Sequence, residues 1–155
     1  MIRLGRCGLA GALVVLLAVA AGCGPSGVPV AQVRGKVTYR GQPVANASIS
    51  FVPDAKGVAP ALGKTNAAGE YRVTTFAAND GAPVGRCKVA ISLTGPPPPL
   101  PPHLANAPAA AETLQMPGKP LLPTKYFSPD TSDLFADVKA SGDNVFHFEL
   151  VGEVK

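Results

Sequence analysis

The chain contains no tryptophan, only two histidines and three cysteines in 155 residues, and aromatics make up 6% of it. Without Trp, the flat indole platform that often stacks sugars is missing, although Tyr39, Tyr71 or Tyr126 could substitute. Two histidines, His103 and His147, lack the spacing of a metal or acid–base cluster, and His147 on a strand's outer face reads as a solvated residue. Three cysteines leave no disulfide framework once their positions are considered. Cys7 lies in the opening segment, Cys23 at its end, and Cys87 alone in the body, where it reads as a small core residue. Charged residues are only 15% of the chain. They are scattered, with no Lys/Arg cluster interleaved with aromatics, so nucleic acid is not an expected partner despite a formal net charge of +4. Also missing are GxSxG, HExxH, P-loop and Rossmann fingerprints, so no catalytic residue, metal ligand or cofactor is assigned. DTSD at 130–133 lacks the Gly and distal Glu of a calcium loop and reads as a turn.

What is abundant is glycine and proline, 17 of each. Turns this frequent point to short strands and an all-β class. At the start, Arg3 and Arg6 precede an uncharged run from Cys7 to Cys23 rich in Leu, Val, Ala and Gly. That run is short for a permanent span, which needs about 20 apolar residues, and suits a secretory leader over residues 1–22. It closes on Ala20-Ala21-Gly22-Cys23, which resembles the lipobox of bacterial lipoproteins, with Ala20 where Leu is usual. The resemblance implies that a diacylglyceryl group is attached to the Cys23 thiol and that the leader is cut away just before it. Residues 23–31 have no charge and no periodicity and read as a tether.

From residue 32 onward the pattern has period two. Val33, Gly35, Val37 and Tyr39 point one way and Arg34, Lys36 and Thr38 the other; Ala47, Ile49 and Phe51 alternate with Ser48 and Ser50. A short strand follows around Leu62 to Thr65, and Asn66 with Gly69 makes a hairpin connection to a strand carrying Tyr71 and Val73. NDGAPVG is a further turn cluster. Cys87, Val89, Ile91 and Leu93 then face inward, as do Leu134, Ala136 and Val138, and finally Phe146, Phe148 and Leu150. The two aromatics of this last strand predict a central position for it. Residues 95–123 hold ten of the seventeen prolines and read as a long solvated excursion. Seven short strands predict a two-sheet sandwich spanning 32–151, because one sheet alone would leave an apolar face wet.

Three stretches, VRGKVTYRGQPVANASISFVP, GKTNAAGEYRV and GAPVGRCKVAI, together with the tail PTKYFSPDTSDLFADVKASGDNVFHFEL, resemble small bacterial lipoproteins with a carboxypeptidase-regulatory-like or transthyretin-like domain. The resemblance implies a seven-stranded Greek-key β-sandwich of prealbumin type. It implies a lipid-anchored, non-catalytic module with a binding or structural role at the cell envelope. The partners expected are the membrane, through Cys23, and a carbohydrate or another envelope protein. The competing expectation is a small hydrolase or metal-dependent enzyme on the same sandwich, built from His147, Tyr126 and nearby carboxylates.

Overall fold

The computed structural model describes residues 28–99 and 118–154. The leader, Cys7, Cys23, His103 and the middle of the proline-rich excursion lie outside the described residues. Ten strands are present among those described: β1 (Val30–Ala31), β2 (Val33–Tyr39), β3 (Gln42–Pro43), β4 (Ser48–Pro53), β5 (Ala61–Lys64), β6 (Glu70–Thr74), β7 (Ala82–Pro83), β8 (Gly85–Ser92), β9 (Leu134–Val138) and β10 (Asn144–Leu150). The class is all-β, as composition predicts. One sheet runs in the order β10-β2-β6-β5-β4-β8-β9 with β3 attached to β2, and β1 pairs separately with β7.

The long sheet curls so that its two halves face each other across the core. Phe51 of β4 reaches over to the other half, with ring centroids 6.1 Å from Tyr71, 6.2 Å from Phe146 and 6.3 Å from Phe148. Such aromatic contacts add to the area they bury. Val37, Ile49, Val73, Val89, Ile91, Val138 and Leu150 complete an interior in which each is at most 1% exposed. The expected alternation therefore holds in the long strands except at Ala90 of β8, which is buried between Val89 and Ile91, and Cys87 is a core residue as expected, its thiol donating to the Pro83 carbonyl at 3.7 Å.

Gly35 shows why one position of β2 carries no side chain. It faces Tyr71 across the β2–β6 pair and Phe146 across the β2–β10 pair. A Cβ there would lie 1.7 Å from the Phe146 carbonyl oxygen. The bare backbone lets the Tyr71 hydroxyl reach that same oxygen and donate to it at 2.9 Å. Burial pushes the Tyr71 phenol above its usual range, so it stays protonated and remains a donor. At the Asn66–Gly69 hairpin, Gly69 takes the left-handed angle, φ 75°, and Asn66 works through its side chain, its Oδ1 accepting from the N–H groups of Ala68 and Glu70 at 2.9 Å each.

Three expectations need correcting. The final strand β10 is not central: it ends the sheet order and pairs only with β2, in parallel. Its aromatics are buried by the opposite half rather than by two flanking strands, and alternation reports a buried face without reporting the number of neighbours. The excursion is shorter than 95–123. Its two legs meet at a Thr94–Pro120 bridge, Gly95 N–H donates to Lys119 and Leu121 N–H to Leu93, and Leu122 is 1% exposed in the core. Lastly, Val30 and Ala31, expected in the tether, pair with Pro83 and Ala82.

Every buried side-chain polar atom among the described residues has a partner. The Ser132 hydroxyl donates to Val89 at 2.6 Å, Thr65 Oγ1 accepts from the Ala47 N–H at 2.8 Å, and the Asn144 amide ties Lys139 to Gln32. Each leaves the interior closed and self-satisfied, with its polar groups committed to the fold. Function must then be sought on the surface.

Candidate functional site: a basic groove on the outer face

The outward residues of β2, β5, β6 and β10 line an open groove of about 580 Å³, with Arg34, Lys36, Lys64, Arg72 and His147 set against a single carboxylate, Glu70. Strand register creates this convergence. Arg34 stands directly opposite Arg72, and Lys36 lies between Glu70 on one side and His147 on the other. Like charges directly opposite across an antiparallel pair are destabilising by a few tenths of a kcal/mol or more. Nothing beneath them requires cations, because the inward residues of the same strands build the core.

The charges are only partly neutralised. Arg34 pairs with Asp143 at 3.3 Å, but both side chains are more than half exposed, so the pair contributes little. Lys36, Lys64 and Arg72 take part in none of the three ion pairs among the described residues. A guanidinium group is a planar donor array that matches a carboxylate or phosphate, two of them stand on directly opposed residues here, and the ammonium groups of Lys36 and Lys64 add point charge. A smaller cleft of about 80 Å³, sharing Arg34, Arg72 and Asn79 with the groove, extends it toward Gln32 and Asp143.

The residues singled out in the sequence are distributed differently. His147 lines the groove. Tyr126 is 3% exposed on the short 3-10 turn Thr124–Phe127, and its hydroxyl is engaged by the N–H and carbonyl of Val151 at 3.1 Å each. The two do not share a cavity. Asp130 pairs with Lys88 at 2.8 Å, and Ser132 bonds into the core, so DTSD closes a turn as expected. Among the described residues no group of three or more His, Cys, Asp or Glu is arranged to hold a metal.

Sequence reasoning missed Arg34, Lys36, Lys64 and Arg72 as a group. The alternation places the first two on an outer face, but Lys64 and Arg72 join them only through strand order and register, which periodicity does not report. No family model, curated protein or solved structure matches the chain.

Proposed function

We propose that this chain is a lipid-anchored, non-catalytic module of the bacterial cell envelope, built on a transthyretin-like, seven-stranded Greek-key sandwich, whose outer groove binds an anionic envelope component. The observation that carries the binding role is the register that sets Arg34 against Arg72 beside Lys36 and Lys64, with Glu70 the one carboxylate in the groove lining and Asp143 paired to Arg34 at its edge. The partner is a carboxylate- or phosphate-bearing carbohydrate or an acidic face of another envelope protein, since either presents the oxygens that guanidinium groups recognise. Support for the anchor comes from Arg3, Arg6, the apolar run and Ala20-Ala21-Gly22-Cys23. Support for the Greek key is the order of the seven strands of four residues or more, β10-β2-β6-β5-β4-β8-β9, in which β2 lies between β6 and β10 instead of beside β4.

Intact mass spectrometry of protein purified from membranes tests the anchor: the expected species begins at Cys23 and carries acyl mass, and Cys23→Ala loses both that mass and membrane retention. An unmodified N-terminus overturns it. For the groove, retention on an acidic polysaccharide matrix is expected to fall steeply with salt, and salt-independent retention argues against charge recognition.

A further inference from the structure

The loop Thr75–Gly81 is fixed by one carboxylate. Asp80 accepts from three successive backbone N–H groups, those of Thr75 at 2.7 Å, Phe76 at 2.9 Å and Ala77 at 2.9 Å. The Thr75 hydroxyl donates to Gly81 at 2.7 Å and Asn79 N–H donates to Thr74 Oγ1 at 2.9 Å. These bonds use the backbone and small hydroxyls, so the side chain of Phe76 is not needed to make the loop. It is nevertheless a phenyl ring, 63% exposed, followed by exposed Ala77 and Ala78. The held loop therefore presents an aromatic ring and two alanines to whatever surface lies beyond this end of the molecule.

Topology says which surface. The loop lies where β6 ends, and register places the starts of β2, β8 and β10 and the ends of β4 and β9 at that same end. The chain also enters there: β1 pairs with β7, the Pro29 carbonyl accepts from Val84 N–H at 2.9 Å, and Gly81 packs so tightly on Ala31 that a Cβ would lie 1.8 Å from its carbonyl oxygen. Val28 is five residues from Cys23, a reach of no more than about 18 Å. The proline-rich excursion and the C-terminal residues leave from the opposite end, after β8 and β10. Of the acids at this end, Asp54 pairs with Arg86, Asp143 with Arg34 and Asp80 with backbone, and Asp137 is exposed and in no ion pair among the described residues, as are the two cations Lys56 and Lys139.

We infer that Phe76, with Ala77 and Ala78, is a membrane-docking finger that seats this end of the sandwich in the interface of the bilayer holding the Cys23 acyl chains. The inference rests on the lipid-anchor reading. An aromatic ring is at home at the headgroup level, and tethering keeps it at high local concentration there. Docking would hold the groove beside the headgroups at a fixed tilt, with the opposite end pointing away.

The absence of Trp makes a clean test. Full-length protein carrying Phe76→Trp, or Leu121→Trp at the opposite end where Leu121 is 50% exposed, is purified from membranes and reconstituted in phosphatidylethanolamine–phosphatidylglycerol vesicles with brominated acyl chains. Both positions are exposed, so each variant is expected to keep the parent's melting temperature. The position-76 fluorophore is expected to shift to the blue, to be quenched about twofold or more, and to resist acrylamide, with position 121 unchanged. Neither or both being quenched, in protein whose mass shows acyl chains at Cys23, overturns the docking and leaves the anchor intact. Protein without acyl mass overturns the anchor; docking then survives if added vesicles still quench position 76 and falls if they do not. Protection from acrylamide that rises with protein concentration at a fixed detergent-to-protein ratio, before vesicles are present, assigns the ring to a second copy and overturns the proposal.

Discussion

The two halves of the curled sheet bury similar inner faces and differ in their outer ones. On β2, β6 and β10 the outward residues include Arg34, Lys36, Arg72 and His147. Where β4 and β8 pair through Ser48–Ser50 and Ala90–Ser92, they are Ser48, Ser50, Ala90 and Ser92, which line a shallow cleft of about 290 Å³ with Leu62 and Phe127, while at the other end of β8 the outward Arg86 and Lys88 are each paired with a carboxylate, Asp54 and Asp130. In the second half Ser48 stands against Ser92 and Ser50 against Ala90. Small side chains are thus sufficient to cover a strand pair of this fold, and the opposed Arg34 and Arg72 carry a repulsion the fold does not need. The contrast supports the proposal that the cations serve what the surface contacts.

Substitutions beneath the surface should damage both halves alike. Phe51→Ala, which removes the ring joining them, is expected to cost about 3–5 kcal/mol, and Gly35→Ala, whose methyl meets the Phe146 carbonyl, a similar amount or outright unfolding; chemical denaturation measures both. Tyr71→Phe deletes only the hydroxyl bonded to Phe146 and should cost about 1–2 kcal/mol. At the surface the halves should diverge. Arg34→Ser with Arg72→Ser, which copies the β4–β8 pattern, is expected to leave stability within about 0.5 kcal/mol or raise it, whereas Ser48→Arg with Ser92→Arg, which copies the basic pattern, should lower it by a few tenths.

Each half also buries a titratable group, and both act in the same direction with pH. Burial, with Asp54 and Asp137 nearby, pushes the Cys87 thiol from 9.0 up to about 11, and burial also raises the Tyr71 phenol. The folded chain therefore holds protons that the unfolded chain releases. Cys87 contributes stability that is complete below the ordinary thiol value and is lost as pH rises through about 11. Melting temperature measured across pH 8–11 should fall, and Cys87→Ala should shallow that fall while lowering stability at neutral pH. The smallest effect expected is at Lys88, whose ammonium the Asp130 carboxylate holds above its usual range: the pair is exposed, so Lys88→Ala should leave the denaturation midpoint almost unmoved.

The fold was legible in the sequence where side-chain alternation carries the information. Val33 to Tyr39, Ala47 to Phe51 and Phe146 to Leu150 point as the pattern says, because a one-residue slip would turn the whole apolar set outward. Strand order was not legible, since the pattern of β10 is the same whether it has one neighbour or two. For the same reason the groove was hidden. Arg34 and Arg72 are 38 positions apart and meet only because β2 lies antiparallel to β6. The loop finger was equally obscure: Phe76 reads as an ordinary apolar residue until Asp80 is seen holding the backbone around it.

The most direct test of the contrast between the halves is a paired measurement on the Arg34→Ser, Arg72→Ser protein, taking its melting temperature and its retention on an acidic polysaccharide matrix at low salt. An unchanged or higher melting temperature with retention reduced about tenfold or more is the expected result. Retention equal to the parent's, or a melting temperature several degrees lower, would show that the opposed arginines serve the fold and would contradict the account.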